Sequence, residues 1–254
     1  MWNIQTFDEI ASTQTLARQQ VDAGKARDGD VFVALHQHEG RGQYHWRLWY
    51  DEPGANLLLS TVLTNVPPSI VDLMQFVAGL SVLSTIRSLI ADKLPLFDTA
   101  RVKLKWPNDI LIDGKKISGI LSEAIWNGLT LKCIIIGIGI NVNQEKFAEP
   151  VALHASSLKI FLTDPLPLEL VRDRLLNTLR DTLPRYSDRQ KLLTDLRSEL
   201  LWMNLLPGVT ATSPDGTVIP HAKITGISET GALHISTPGG VEHILQIATL
   251  TFDE

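Results

Sequence analysis

Apolar and polar positions alternate along the chain with two different periods, and each change of period marks a new element. In "IASTQTLARQQVDAG", Leu16, Ala17 and Val21 recur at helical spacing, with Ser12 placed as an N-cap and Gly24 where a left-handed C-terminal cap belongs. Residues 31–36, "VFVALH", form a short β-rich run, and residues 55–64, "ANLLLSTVLT", predict a strand buried on both faces. Pro67, Pro68 and Ser69 introduce a long apolar helix, in which Asp72 suits a capping box with Ser69. "RVKLKWPNDI" alternates Val102 and Leu104 with Lys103 and Lys105, the mark of a half-exposed strand. Asp113-Gly114 and Asn127-Gly128 both tolerate the positive φ angles of type I′ turns. The flanking "KISGILSEAIW" and "LTLKCIIIGIGINVN" are therefore expected to pair as antiparallel strands. Helical patterns occupy residues 168–183 and 187–201. From Leu206 the texture becomes short strands broken by Pro-Asp-Gly, Glu-Thr-Gly and Pro-Gly-Gly turns. The pattern predicts an α+β fold, a mixed but mainly antiparallel sheet carrying helices over residues 1–204, then a compact β-barrel over 205–254.

Composition narrows the class. A chain of 254 residues has room for one good-sized core and a smaller second domain. Its net charge of −5 provides no basic field for nucleic acid, so no DNA partner is expected. The single cysteine, Cys133, excludes an internal disulfide and a CxxC zinc site, and its apolar surroundings predict a buried, inert thiol. "MWNIQTFDEI" lacks the cationic start and apolar run of a signal peptide. The most apolar stretch, "SIVDLMQFVAGLSVLSTIRSLIADK", carries Asp72, Arg87 and Asp92 and is read as a buried helix with no membrane role. A soluble, cytoplasmic protein is expected.

Three segments carry candidate chemistry. The loop "EGRGQYHWRLWYDEPG" opens with Gly40, Arg41 and Gly42, whose backbone N–H groups and guanidinium suit an anion; a mobile surface turn fits the same residues. Its aromatics, among them Trp46, Trp49 and Tyr50, must cover either a flat apolar ligand or the core. "KWPNDILIDGKKISGIL" places Asp109 after a rigid Trp-Pro turn and returns Lys115 and Lys116 by a hairpin, so a Mg²⁺-holding carboxylate would lie beside lysines; a surface salt bridge is the plain alternative. In "IIIGIGINVN", Gly137 and Gly139 share a strand face and permit close approach of a ligand or of a packed helix. This is no dinucleotide fingerprint, and no serine sits in a G-x-S-x-G elbow. His36, His38 and His45 gather around the loop, but no carboxylate or thiol set completes a metal site, and that reading is set aside.

In order along the chain, "STQ" (12–14), "HQHEGRGQ", "PGANLLLS", "KWPNDILIDGKKISGIL", "IIGIGINVN", "ASSL" (155–158) and "TGISETGAL" resemble the biotin protein ligases over nearly the whole length. The resemblance implies the fold shared by biotin ligases and class II aminoacyl-tRNA synthetases, followed by an SH3-like β-barrel. It implies activation of biotin by ATP and Mg²⁺ to biotinyl-5′-AMP, then transfer to a lysine of a biotin carboxyl carrier protein, the acetyl-CoA carboxylase subunit. It also admits a homodimer.

Carried over by residue, Ser12, Thr13 and Gln37 match the contacts to the biotin ureido end, and Gln14, also a substrate-binding candidate, stands where the family usually has asparagine. Gly40, Arg41 and Gly42 match the start of the ligand loop, and Trp49 matches a tryptophan packed on the intermediate. Lys116 matches the lysine at the biotin carboxyl and phosphate, with Arg41 and Asp109 as its catalytic companions and Asp109 the Mg²⁺ ligand. Gly119 and Gly139 match glycines lining the pocket, Asn108 and Asn141 lie at the adenosine side, and Lys105 flanks the site. The family often continues its loop as GRGRxGRxW; here Gln43 and His45 replace an arginine and a glycine, with Arg47 as a displaced cation. No helix-turn-helix precedes Trp2, so the repressor activity of some relatives is not expected. A non-catalytic biotin-binding homologue and a lipoate or octanoyl transferase remain as alternatives.

Overall fold

The computed structural model describes residues 1–44, 47–149 and 151–253. Its first strand, β1 (Asn3–Ile10), is followed by helix α1 (Thr13–Asp22) and then by β2 (Asp30–Gln37), which runs parallel to β1. The sequence pattern missed β1 because its side chains are nearly all exposed, so no apolar alternation betrays it. Ser12 takes the N-cap backbone position of α1, yet its hydroxyl caps nothing. At the other end Gly24 adopts φ +69°, with Gly24 N–H donating to Val21 O and Lys25 N–H to Gln20 O, a Schellman closure.

Strand β3 (Leu57–Leu63) is buried at every position, as its apolar run requires. The capping box at Ser69 does not form. Residues Pro68–Leu73 make a 3-10 turn, helix α2 spans Met74–Lys93, and Asp72 instead pairs with the Arg189 guanidinium at 2.7 and 2.8 Å. Helix α2 is a core helix, with Val77, Val82, Ile86 and Ile90 fully enclosed.

Strands β4 (Val102–Lys105), β5 (Asp109–Ile112), β6 (Lys115–Asn127) and β7 (Thr130–Ile140) then complete a seven-stranded sheet in the order β1-β2-β3-β7-β6-β5-β4, antiparallel except at β1-β2. Asp113 and Gly114 both have positive φ, as a type I′ turn demands. The second hairpin differs. Asn127 pairs with Thr130, leaving Gly128-Leu129 as the turn with positive φ at Gly128 alone, the type II′ pattern.

The short α3 (Leu158–Leu162), also missed in the sequence, precedes α4 (Leu168–Arg185) and α5 (Arg189–Leu200). Asp188 caps α5, accepting from Gln190 N–H and Lys191 N–H. One face of the sheet packs on α2, α4 and α5; the other is covered by α1, where Ala17 and Val21 meet Phe32, Val62 and Ile135. Cys133 lies in that second layer, and burial pushes its thiol up, as an inert cysteine requires.

The C-terminal module is a five-stranded antiparallel sheet. Strands β8 (Val209–Thr212), β9 (Val218–Ile227), β10 (Leu233–Ser236), β11 (Glu242–Leu245) and β12 (Thr249–Phe252) are ordered β11-β10-β9-β8-β12. It is tied to the first sheet at the Lys105-Trp106 corner: Lys105 Nζ donates to Leu250 O at 2.7 Å and Trp106 Nε1 to Gly231 O at 2.9 Å.

Candidate functional site

Beyond the N-terminus of α1 a cleft opens over the sheet, lined from α1, β2, β3, β5, β6 and β7. Its closed end is polar. Gln37 Oε1 accepts Thr13 N–H at 2.6 Å, Thr13 Oγ1 lies 2.9 Å from Ser60 Oγ, and Ser60 donates to Gln14 Oε1 at 3.0 Å. Gln14 Nε2 in turn donates to Glu123 at 2.9 Å. The Ser12 hydroxyl, also buried, has no partner among the described residues. A buried polar atom left open beside a satisfied network is a place for a polar ligand.

The other end is cationic. Arg41, Arg47, Lys105 and Lys116 line the cleft against one carboxylate among the described residues, Asp109. The Trp106-Pro107 bond is cis, and the turn it makes delivers Asp109 to the first position of β5. A β-bulge where β5 meets β6 resets the alternation, so Lys116 and Gly119 share a side: the Lys116 ammonium lies 3.2 Å from the point a Cβ on Gly119 would occupy. The backbone of Lys116 is pinned from the far side, its N–H donating to His154 O and its carbonyl accepting Ser156 N–H. Lys116 Nζ is 2.6 Å from Asp109 Oδ1, a charge contact without hydrogen-bond alignment. Lys105 is half-buried, and burial holds its ammonium below the usual lysine range, with Lys116 and Arg47 pushing the same way and Asp109 opposing.

The loop, whose glycines suit either an anion or a surface turn by sequence, is closed by backbone bonds of its own. It folds back on itself as a hairpin: Gly42 N–H donates to Arg47 O at 2.8 Å, Trp49 N–H to Gly40 O at 2.8 Å, and Arg41 bridges to Leu48. Gly40 and Gly42 are there because a Cβ would sit 2.7 and 2.9 Å from the carbonyl oxygens of Trp49 and Arg47. Arg41 reaches the cleft but pairs with Glu123 at 3.0 Å, and Arg47 lies over the Tyr44 ring. His45 and Trp46 lie outside the described residues.

Gly119 and Gly139 line the cleft as expected, but it is Trp49 they admit. A Cβ on Gly139 would fall 2.6 Å from the indole, and one on Gly119 would fall 2.9 Å from it. The same indole borders a second, more apolar hollow with Tyr50, Phe147, Val151 and His154, and Lys116 lies on both sides of that wall. Asn141 faces this second hollow; its amide donates to Ser156 O while its buried Oδ1 has no partner among the described residues. Asn108 does not join it. It borders the first cleft, and its amide donates to Ile120 O, tying the β4-β5 turn to β6.

Sequence reasoning missed Ser60, Glu123 and the segment Ala248 to Leu250, which borders the cleft from the C-terminal module. Ser60 alone left a signal, as one of two adjacent hydroxyls, with Thr61, inside a strand whose other residues are apolar.

Comparison with known proteins matches residues 6–141 to the biotin/lipoate A/B protein ligase family and residues 208–246 to the biotin protein ligase C terminal domain. The bifunctional ligase/repressor BirA of Bacillus spizizenii is 30% identical over 93% of this chain and 70% of its own length. The biotin–[acetyl-CoA-carboxylase] ligase of Mycobacterium tuberculosis is 35% identical over 59% of this chain and 52% of its own. Among solved structures, the Aquifex aeolicus biotin protein ligase in complex with biotin and ATP superposes with a TM-score of 0.77 at 26% identity, covering 99% of each chain. With both of its sheets matched in this way, the chain belongs to the biotin protein ligase family, catalytic domain and C-terminal domain together.

Proposed function

We propose that this chain is an ATP-dependent biotin ligase acting in the cytoplasm on a biotin carboxyl carrier protein, with its division into domains between residues 204 and 205. The observation that carries the reading is a single cleft with an unsatisfied buried hydroxyl, Ser12, at one end and a cluster of cations at the other. Biotin has the same polarity. Its ureido ring is an uncharged donor and acceptor that suits Ser12, Thr13, Gln14 and Gln37, and its carboxylate lies a valeryl chain away, toward Lys116.

In the first step a biotin carboxylate oxygen attacks the α-phosphorus of ATP. The bond from that phosphorus to the pyrophosphate oxygen breaks, giving biotinyl-5′-AMP. Lys116, at the junction of the two hollows, stabilises charge on the phosphoryl oxygens as it builds, with Arg41 and Arg47 nearby. Asp109, whose Oδ1 makes no directed hydrogen bond, would hold a magnesium ion, which would supply charge to offset that of the phosphates. The more apolar hollow bounded by Trp49 and Asn141 suits the adenosine half. In the second step a carrier lysine amine attacks the acyl carbonyl, the amide forms and AMP leaves. Between the steps the Gly40 to Trp49 hairpin covers the anhydride and keeps water from it.

Incubating the purified chain with labelled biotin, ATP, Mg²⁺ and a carrier domain tests this. Label should appear on the carrier, and Lys116→Ala should lower the rate by about 100-fold or more, the scale of losing one transition-state cation. Biotin binding without pyrophosphate release would instead establish a non-catalytic homologue, and preference for lipoate would establish a lipoate-type enzyme.

A further inference from the structure

The histidines dismissed as metal ligands in the sequence acquire partners in the fold. Strand β1 lies parallel to β2 with Glu9 opposite His36, and His38 continues the same ladder through its N–H to Ile10 O. One ligand atom each from Glu9, His36 and His38 falls within 4.8 Å of the others. His38 Nδ1 already meets Glu9 Oε1 at 3.1 Å. Behind His36 stands Asp51, its side chain wholly buried and its Oδ2 2.9 Å from His36 Nδ1.

We propose that Glu9, His36 and His38 form a divalent transition-metal site, with zinc as the ion of choice, and that Asp51 orients His36 for it. The donor chemistry supports this directly. Two imidazoles and a carboxylate are the borderline ligands zinc takes, leaving a fourth position for water. Asp51 engages Nδ1, which fixes the His36 tautomer and leaves Nε2 as the ligand, the carboxylate–histidine–metal arrangement that tunes many such sites. Glu9 and Asp51 together bring two negative charges, so a doubly charged ion leaves the cluster neutral. Donors around a tetrahedral ion stand about 3.4 Å apart, a contraction that the half-exposed His38 and exposed Glu9 side chains can make by rotation.

The position gives the site a consequence. Gln37, between the two histidines, accepts Thr13 N–H at the polar end of the cleft, and Asp51 follows Trp49 and Tyr50 at the exit of the covering loop. A bound ion would staple β1 to β2 and, through His36 and Asp51, fix the point where that loop leaves the sheet. The site stands apart from the ligase reading, since it is read without biotin or ATP.

Titration calorimetry of the metal-free chain with Zn²⁺ tests it. One zinc per chain is expected at micromolar or tighter affinity, with the ion raising Tm. His38→Ala, at an exposed position that the fold does not need, should abolish both effects. Asp51→Asn, which touches no metal, should weaken binding by about 10- to 100-fold. His221→Ala and His243→Ala should change nothing. Binding that survives His38→Ala, is lost with His221 or His243, or requires millimolar zinc would overturn the proposal.

Discussion

At the scale of single residues, Trp49 has a seat made for it by what two positions lack. The indole reaches within 2.6 Å of a Cβ position at Gly139 and 2.9 Å of one at Gly119, distances no side chain tolerates without moving something. Its ring also lies 5.5 Å from Lys116 Nζ, close enough for a cation–π attraction of roughly 0.5–2 kcal/mol. Moving the ring would therefore disturb the wall between the two hollows and the lysine at their junction. Gly139→Ala is expected to raise KM for ATP about tenfold or more in a pyrophosphate-release assay, with little change in Tm. Because the effect is transmitted through the indole, Gly139→Ala should add little when Trp49 is already alanine, a non-additivity that a double-mutant cycle reads directly. Equal effects in both backgrounds would show that Gly139 acts by another route.

At the scale of elements, the Arg41–Glu123 pair adds little to what the seated Trp49 indole does to hold the loop against the sheet. Arg41 and Glu123 are 40% and 24% exposed, and a partly solvated pair of this kind contributes about 0–1 kcal/mol. A weak latch would suit the role proposed for this loop, opening for each substrate and closing over the water-sensitive anhydride. Glu123→Gln, which keeps an acceptor for Gln14, should therefore leave folding intact but raise the ratio of AMP released to biotin transferred several-fold; an unchanged ratio would rule out the latch. Neither partner's role was legible in the chain. Local apolar period reveals β3 and β7, and turn chemistry reveals the β5-β6 hairpin, because those signals act between neighbours in sequence. The Arg41–Glu123 pair and the contact of Ser60 with Gln14 depend on sheet order, which no local pattern encodes. The glycines of the loop show the same limit from the other side. Their presence was informative, but whether they wrap an anion or let two hairpin arms touch is decided only by tertiary structure. Edge strand β1 stayed hidden because it buries too little to leave a pattern.

At the scale of the whole molecule, Lys105 joins the two sheets and the cleft in one side chain. Its ammonium donates to Leu250 O, lies 4.8 Å over the Phe252 ring, and borders the cleft beside Thr249. Burial holds it below the ordinary 10.5, an effect that Lys116 and Arg47 increase and Asp109 reduces. The sign follows from proton counting. Between the lowered value and 10.5 the unfolded chain binds this proton and the folded chain does not, so the contribution of Lys105 to stability rises with pH across that window. Below the window both states carry the proton, and the fold bears the full cost of a buried charge. A polyphosphate entering the cleft favours the charged lysine and should move its titration back up. ATP binding should therefore take up protons at alkaline pH, short of 10.5, where ATP itself no longer titrates. Calorimetry in buffers of different ionisation enthalpy would register that uptake as a buffer-dependent heat, absent in Lys105→Met. The same heat in the variant, or none in the native chain, would mean that the nucleotide does not sense Lys105. The uptake, if found, places the C-terminal strand that holds this lysine within reach of the nucleotide's charge, so the β module would tune ATP binding through one shared side chain.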